Sequence, residues 1–333
     1  MSASNGIIVI LSYPDTVVRP AYWEPFSNFW TKLGIGSKHA VQAGHAALLL
    51  LEKGKPEINY FDFGRYITSY GNGRVRCQET DPELEIPIKA EFKNGEFINL
   101  KEVLLWLEKH PEKTHGDGRL IATVSTDIDY KLALQFIQEL IKKKEIPYGV
   151  FVKKGSNCAR FVTDTLIASL TNKKIKLHLK TSNLLTPSPI GNVIKASTHK
   201  TIFHVYQQEI KHYKNRSILK EYKDSLFNKF DIEPNLIGTE KPNKTIFELE
   251  KGTWLGGIGS GAWFHIEKQI DKNNYLIARY NSTGIKDFEG QFSINNNSFS
   301  VDKEYQFTYP TNCQEMVVFQ NQKSYCFTLA NNS

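Results

Sequence analysis

The fold turns on Gly155-Ser156-Asn157-Cys158-Ala159-Arg160-Phe161-Val162-Thr163-Asp164, a loop that runs into a helix. Asn157 suits the N-cap, because its side-chain oxygen can accept from the unpaired amides of a first helical turn. Phe161, Val162, Leu166 and Ile167 recur at helical spacing, so one face of this helix packs inward. Cys158 then sits on the first turn, where the positive end of the helix dipole favours a thiolate. That is the setting of a sulfur nucleophile. A small buried apolar side chain is the other reading of the same residue, since free cysteine is among the most buried residue types.

Upstream, Gly44-His45-Ala46-Ala47-Leu48-Leu49-Leu50-Leu51 and Asn59-Tyr60-Phe61-Asp62-Phe63-Gly64 flank the turn Lys53-Gly54-Lys55-Pro56. Two short apolar runs around a Gly/Pro turn predict an antiparallel hairpin, with His45 at the start of its first strand. Alternation puts Tyr60 and Asp62 on one face and Phe61 and Phe63 on the other. With the two phenylalanines in the core, Asp62 is free to meet an imidazole; an ion pair with Arg65 or Arg74 is the alternative. The glycine-broken stretch that follows carries Arg65, Arg74 and Arg76. These either neutralise an anionic group at a site or pair with Glu79, Asp81 and Glu83, and pairing is the favoured expectation.

Gly6 to Tyr13 reads as a buried strand, and Tyr22 to Leu33 as an aromatic core stripe with Trp23, Phe26, Phe29 and Trp30. Asn99 to Lys109 predicts an amphipathic helix and Leu120 to Val124 a strand. Asp127 to Lys144 predicts a long helix burying Leu132, Ala133, Phe136, Ile137, Leu140 and Ile141. The tight loop Thr114-His115-Gly116-Asp117-Gly118-Arg119 offers His115 with Asp117 as a rival base and orienter, or else a turn held by its own side chains.

After Leu170 the character changes. Thr186-Pro187-Ser188-Pro189-Ile190-Gly191 is linker chemistry, and the Lys/Tyr-rich 203–229 segment reads as helical, with His204 and His212 on its surface. From Thr245 onward, short strands separated by turn signals predict a small barrel or sandwich. The glycine cluster at 256–261 precedes a strand rather than a helix, which makes it a backbone bend or bulge and not a phosphate cradle. The expected domains are 1–180, a connector over 181–244 and a β-rich domain over 245–333.

Bulk properties narrow the classes. A chain of 333 residues with 40% hydrophobic and 12% aromatic content supports more than one core. Cys77, Cys158, Cys313 and Cys326 contain no CxxC pair, which argues against a disulfide framework or a zinc site; only Cys313 and Cys326 are close enough in sequence to suggest a bridge. No metal and no cofactor are expected. The net charge of +7 lies in ordinary lysine-rich faces, so nucleic acid is not an expected partner. No apolar run approaches the ~20 residues of a membrane span, and Met1 to Gly6 has no basic leader. A soluble, cytoplasmic protein is the expectation.

The order Gly44-His45 on a strand, a polar residue on the next strand, then a late Asn157-Cys158-Ala159-Arg160-Phe161-Val162 helix resembles the circularly permuted branch of the NlpC/P60-like, papain-fold superfamily. In that branch histidine precedes cysteine. It includes lecithin:retinol acyltransferase-like proteins, with an Asn-Cys-Glu-His-Phe-Val helix start, and bacterial relatives with Asn-Cys-Ala. The chain also looks like a bacterial domain-of-unknown-function family sharing Tyr-Phe-Asp-Phe-Gly-Arg-Tyr and Asn-Cys-Ala-Arg-Phe-Val. The resemblance covers residues 1–175. It implies an α+β, permuted papain-like domain with a small antiparallel sheet and packed helices.

By that resemblance Cys158 is the nucleophile, His45 the base and Asp62 the third polar group, a position the lipid-acting relatives fill with histidine. Asn157, Arg65, Tyr60 and His115 are candidate substrate-binding residues. Ala159-Arg160 in place of Glu-His departs from the lipid acyltransferases. The implied reaction is amide hydrolysis or acyl transfer on a peptide, amide or acyl substrate. The competing class is a catalytically idle binding module of the same fold, with Trp254 and Trp263 of the C-terminal domain contributing recognition.

Overall fold

A computed structural model describes residues 4–21, 32–37, 40–184, 186–214, 217–228, 252–295 and 298–330. The aromatic stripe at 22–31 and the strand expected at 245–249 lie outside the described residues. The chain divides into two compact units. The first comprises Met1–Gly64, Val75–Cys77 and Leu84–Pro234; the second comprises Arg65–Arg74, Gln78–Glu83 and Asn235–Ser333.

The strands of the first half are β1 (Gly6–Tyr13), β2 (His45–Glu52), β3 (Asn59–Gly64), β4 (Asn72–Arg76), the short ribbon β5 (Phe92–Lys93) with β6 (Glu96–Phe97), β7 (Leu120–Ile128), β8 (Ile146–Pro147), β9 (Ile202–Tyr206) and β10 (Glu209–His212). All but the ribbon join one eight-stranded sheet in the order β10-β9-β7-β1-β2-β3-β4-β8. Every pairing from β10 across to β3 is antiparallel. The helices are α1 (Leu100–Lys109), α2 (Pro111–Thr114), α3 (Tyr130–Lys142), α4 (Cys158–Ser169), α5 (Lys173–Lys180), α6 (Pro189–Ala196) and α7 (Ile218–Leu226).

Strand alternation gives the sheet two apolar faces, as expected for a sheet covered on both sides. Ile8, Ile10, Leu48, Leu50, Phe61 and Phe63 pack with Phe161, Val162 and Leu166 of α4 and with Ala133 and Ile137 of α3. Val9, Leu11, Leu49, Leu51 and Tyr60 face the other way, onto Val103, Leu104 and Leu107 of α1. His45 and Asp62 belong by register to this second face, because Ala47 opposes Asp62 and Tyr13 opposes His45.

Several expectations need correction. The sheet is not small: β7 runs on to Ile128, and β9 and β10 extend it at one edge. Those two strands also replace the first part of the helix expected over 203–229, so the 181–244 stretch is not simply a helical connector. Of the 203–229 segment, only Ile218–Leu226 is helical among the described residues. The Thr186–Gly191 text is not a free linker, since the Ser188 side chain caps α6 and Pro189, Ile190 and Val193 are buried. Of the stripe expected on α3, Ala133 and Ile137 are buried and Phe136, Leu140 and Ile141 partly so, whereas Leu132 is exposed.

In the second unit, β11 (Thr253–Gly256), β12 (Gly261–Gln269), β13 (Asn274–Tyr280), β14 (Lys286–Ser293), β15 (Gln306–Thr308), β16 (Glu315–Gln320) and β17 (Lys323–Leu329) form an antiparallel sheet in the order β11-β12-β13-β14-β17-β16-β15. The sheet nearly closes, with the Phe307 amide of β15 donating to Thr253 Oγ1 of β11 at 3.1 Å. Its interior holds Phe264, Ile277, Phe292, Phe307, Met316 and Phe327. The glycine cluster makes the β11–β12 turn. Cys313 is buried and Cys326 exposed, both as free thiols, so no bridge joins them.

Candidate active site

Sequence brings three groups to the start of β2. Gly44, with φ of +74°, turns the chain so that His45 begins the strand, and a Cβ there would meet the Tyr13 carbonyl at 3.0 Å. On the neighbouring strand Asp62 is fully buried. Its Oδ2 lies 3.3 Å from His45 Nε2, which leaves Nδ1 as the ring nitrogen available to a third group. Cys158 acts electrostatically on the same ring, where it favours the protonated imidazole.

Cys158 arrives from the other layer. Asn157 caps α4, its Oδ1 accepting from the Arg160 amide at 2.9 Å. The Arg160 guanidinium folds back onto the carbonyls of Gly155, at 3.2 Å, and Val150, at 2.7 Å. Phe161 stacks on Phe63 with ring centroids 6.4 Å apart, fixing the helix against β3. Cys158 is partly buried and packs at the margin of the apolar core.

The residue that sequence reading missed as a site residue is Arg76, the last residue of β4. Its Nε donates to Asp62 Oδ1 at 3.0 Å and its Nη2 to Oδ2 at 2.5 Å, while Tyr60 Oη donates to Oδ2 at 3.0 Å. The ion-pair partner of Asp62 is therefore Arg76, not Arg65 or Arg74. The signal available in sequence was alternation, which puts Arg74 and Arg76 on the face opposite the buried Val75 and so on the same side as Asp62. Arg74 pairs with Asp81 through two contacts of 2.6 Å, as expected of the loop arginines.

These contacts set the charges. Burial works against the ionised form of Asp62, but the Arg76 guanidinium and the His45 ring outweigh it and hold the carboxyl well below its usual range. Burial likewise works against protonation of His45. Donation to the Asp62 carboxylate and the interaction with Cys158, together with the charges of both, raise it to about 9. Both the Asp62 carboxylate beside His45 and the Cys158 group thus favour the protonated ring.

The candidate substrate-binding residues fall in different places. Tyr60 is buried behind Asp62, and Asn157 is the helix cap. His115 closes α2 in the left-handed conformation (φ +52°), its amide donating to Pro111 O at 2.7 Å. Arg65 belongs to the second unit, where its carbonyl accepts from the Gly259 amide at 2.8 Å. Among the described residues, no cluster of three or more His, Cys, Asp or Glu side chains is arranged to hold a metal. Nor is any described helix long and apolar enough to cross a membrane.

Residues 8–175, half of the chain and all three groups of the site, match the family model described as type VI secretion system effector TseH-like. The chain belongs to that family. The TseH-like match takes in β1 to β4, β7 and α4, the elements that carry His45, Asp62, Arg76 and Cys158. Residues 252–330 match the DUF6695 C-terminal domain, which spans the strands of the nearly closed sheet. The crystal structure of the type VI secretion system effector TseH is similar to this chain at 15% sequence identity and a TM-score of 0.40, over 64% of this chain and 100% of that one. No curated protein matches the sequence.

Proposed function

We propose that the first unit is a cysteine-dependent hydrolase of the papain-like, permuted NlpC/P60 kind, acting on an amide or peptide bond. What supports this reading is His45 Nε2 at 3.3 Å from the Asp62 carboxylate, with Cys158 acting on the same ring from the first turn of α4. Nucleophile, base and orienting anion are the three parts that thiol chemistry on a carbonyl requires.

In this reading the Cys158 sulfur, as thiolate, attacks the carbonyl carbon. The oxyanion that forms is met by the first-turn amide of Cys158, one of the donors that a helix start leaves without an intrahelical partner. The His45 imidazolium gives its proton to the departing nitrogen, and a thioester remains. Neutral His45 then takes a proton from water, the hydroxide adds to the thioester, and the carboxylic acid leaves as the thiolate and imidazolium are restored. Asp62 keeps the ring oriented and Arg76 keeps Asp62 ionised. Attack of an alcohol or amine in place of water would make the same site an acyltransferase.

Turnover of a panel of peptides and acyl amides by the wild type, Cys158→Ser, Cys158→Ala and His45→Gln checks the reading. The expected result is hydrolysis by the wild type and a loss of about 1000-fold or more in each variant. Full activity in Cys158→Ser would end it.

A further inference from the structure

β1 ends on Tyr13, which stands opposite His45 in the β1–β2 register. The two side chains share a face of the sheet, and their rings stack with centroids 6.4 Å apart and planes at 24°, within the range of aromatic pairing. Tyr13 is buried, and Gly116 presses on its ring. A Cβ on that glycine would stand 2.2 Å from Tyr13 Cγ and 2.4 and 2.5 Å from its two Cδ atoms. The loop carrying Gly116 is itself tied down. The Gly116 amide donates to Thr114 Oγ1 at 3.3 Å and the Asp117 amide to Thr16 Oγ1 at 2.9 Å. The Arg119 amide and guanidinium donate to the Asp15 carboxylate at 2.9, 2.8 and 2.6 Å. The phenol is thus held by a fixed backbone and set against the imidazole.

The Asp62 carboxylate holds one atom of that imidazole, Nε2, at 3.3 Å. A contact at one atom sets a distance, whereas a stacked ring sets a plane. The plane decides where the second nitrogen, Nδ1, points. Proton transfer between ring and sulfur depends on that direction as well as on basicity.

We infer that Tyr13 is a positioning residue of the Cys158–His45 site: its clamped ring sets the plane of the imidazole and with it the direction of Nδ1. The inference rests on Cys158 being the nucleophile that His45 serves. Gly116 belongs to the same device, because only a residue without a side chain lets the loop lie against the phenol. Among the described residues the buried Tyr13 hydroxyl makes no hydrogen bond to the His45 ring, so the role falls to the aromatic ring and not to the phenolic proton.

The test is the pH profile of Cys158 alkylation by iodoacetamide, on the full chain with the exposed Cys326 replaced by serine; Cys77 and Cys313 are buried. The charged groups acting around the imidazole (Asp62, Arg76, Cys158 and Asp117) are the same in every variant. Tyr13→Phe is expected to keep the wild-type profile. Tyr13→Leu is expected to lose about 3- to 10-fold in rate at pH ~6. At pH ~10, where the thiol ionises without help from histidine, it is expected to match the wild type. A purely structural Tyr13 would lower the melting temperature and leave the profile of the folded variant unmoved. If Tyr13→Leu does not fold, Gly116→Ala, which keeps the phenol and displaces it, is read in the same way. A fast wild type whose folded variants keep its rate at pH ~6 overturns the Tyr13 assignment alone. So does a Tyr13→Phe loss as large as that of Tyr13→Leu, which would place the effect in the hydroxyl. A wild-type Cys158 no faster than the thiol of the unfolded chain overturns the nucleophile, and this inference with it.

Discussion

Arg76 and Asp62 meet through two hydrogen bonds, at 3.0 and 2.5 Å, with both side chains sealed from solvent. A buried carboxylate so matched is tolerated; one left alone is not, because desolvation of an unpaired charge costs several kcal/mol. Arg76→Met is therefore expected to lower unfolding free energy by about 3–5 kcal/mol, read by urea titration. Arg76→Met combined with Asp62→Asn should recover part of that loss. A single variant as stable as the wild type would show that the pair contributes nothing.

The same cluster sets a pH window for stability. His45 is raised from 6.5 to about 9, so its contribution is complete below about 6.5 and is lost as pH rises through about 9. Asp62 is depressed below its ordinary 3.8, so its contribution is complete above that value and is lost as pH falls below it. Between about 4 and 6.5 both act fully. Melting temperature against pH should fall on the alkaline side in the wild type. That slope should flatten in His45→Gln.

Gly116 is expected to tolerate no side chain. Its would-be Cβ meets the Tyr13 ring at 2.2–2.5 Å, and that ring is buried and stacked, so it has no room to move away. Gly116→Ala should cost about 1–3 kcal/mol, the usual range for overpacking. It should also slow Cys158 labelling by displacing Tyr13 from His45. Thermal melts and alkylation rates measure the two effects.

In the second unit, Arg279 is 2% exposed and serves Glu83 at 2.5 Å and Asp287 at 2.9 Å, with Asp81 at 3.7 Å. Removing it takes the shared cation from Glu83, Asp287 and the buried Asp81. Arg279→Met should destabilise this unit by about 3–5 kcal/mol, whereas neutralising the exposed Lys323 should change little. Tryptophan fluorescence of Trp254 and Trp263 during denaturation reports the transition.

How far the sequence foretold this molecule depended on whether a local period carried the information. Strand alternation put Asp62 opposite Phe61 and Phe63, and the observed faces agree. The Asn157 cap was legible because a cap is a contact between residues three apart. Arg76 was not legible as a partner of Asp62. Alternation gives its face, but the choice among Arg65, Arg74 and Arg76 is made by tertiary packing across a glycine-broken loop. The β9–β10 hairpin escaped for a different reason. Its turn places Gln207 and Gln208 at φ of +51° and +60°, where Asn and Gly are the usual signals, so nothing in the text marked a turn.

The most direct test is the second-order rate of Cys158 alkylation by iodoacetamide against pH, in the Cys326→Ser background, with and without His45→Gln. A thiolate–imidazolium pair predicts that Cys158 reacts faster than the thiol of the unfolded chain at pH ~6, and that His45→Gln removes about tenfold or more of that rate. A rate at pH ~6 equal to that of the unfolded thiol, unmoved by His45→Gln, would contradict the account.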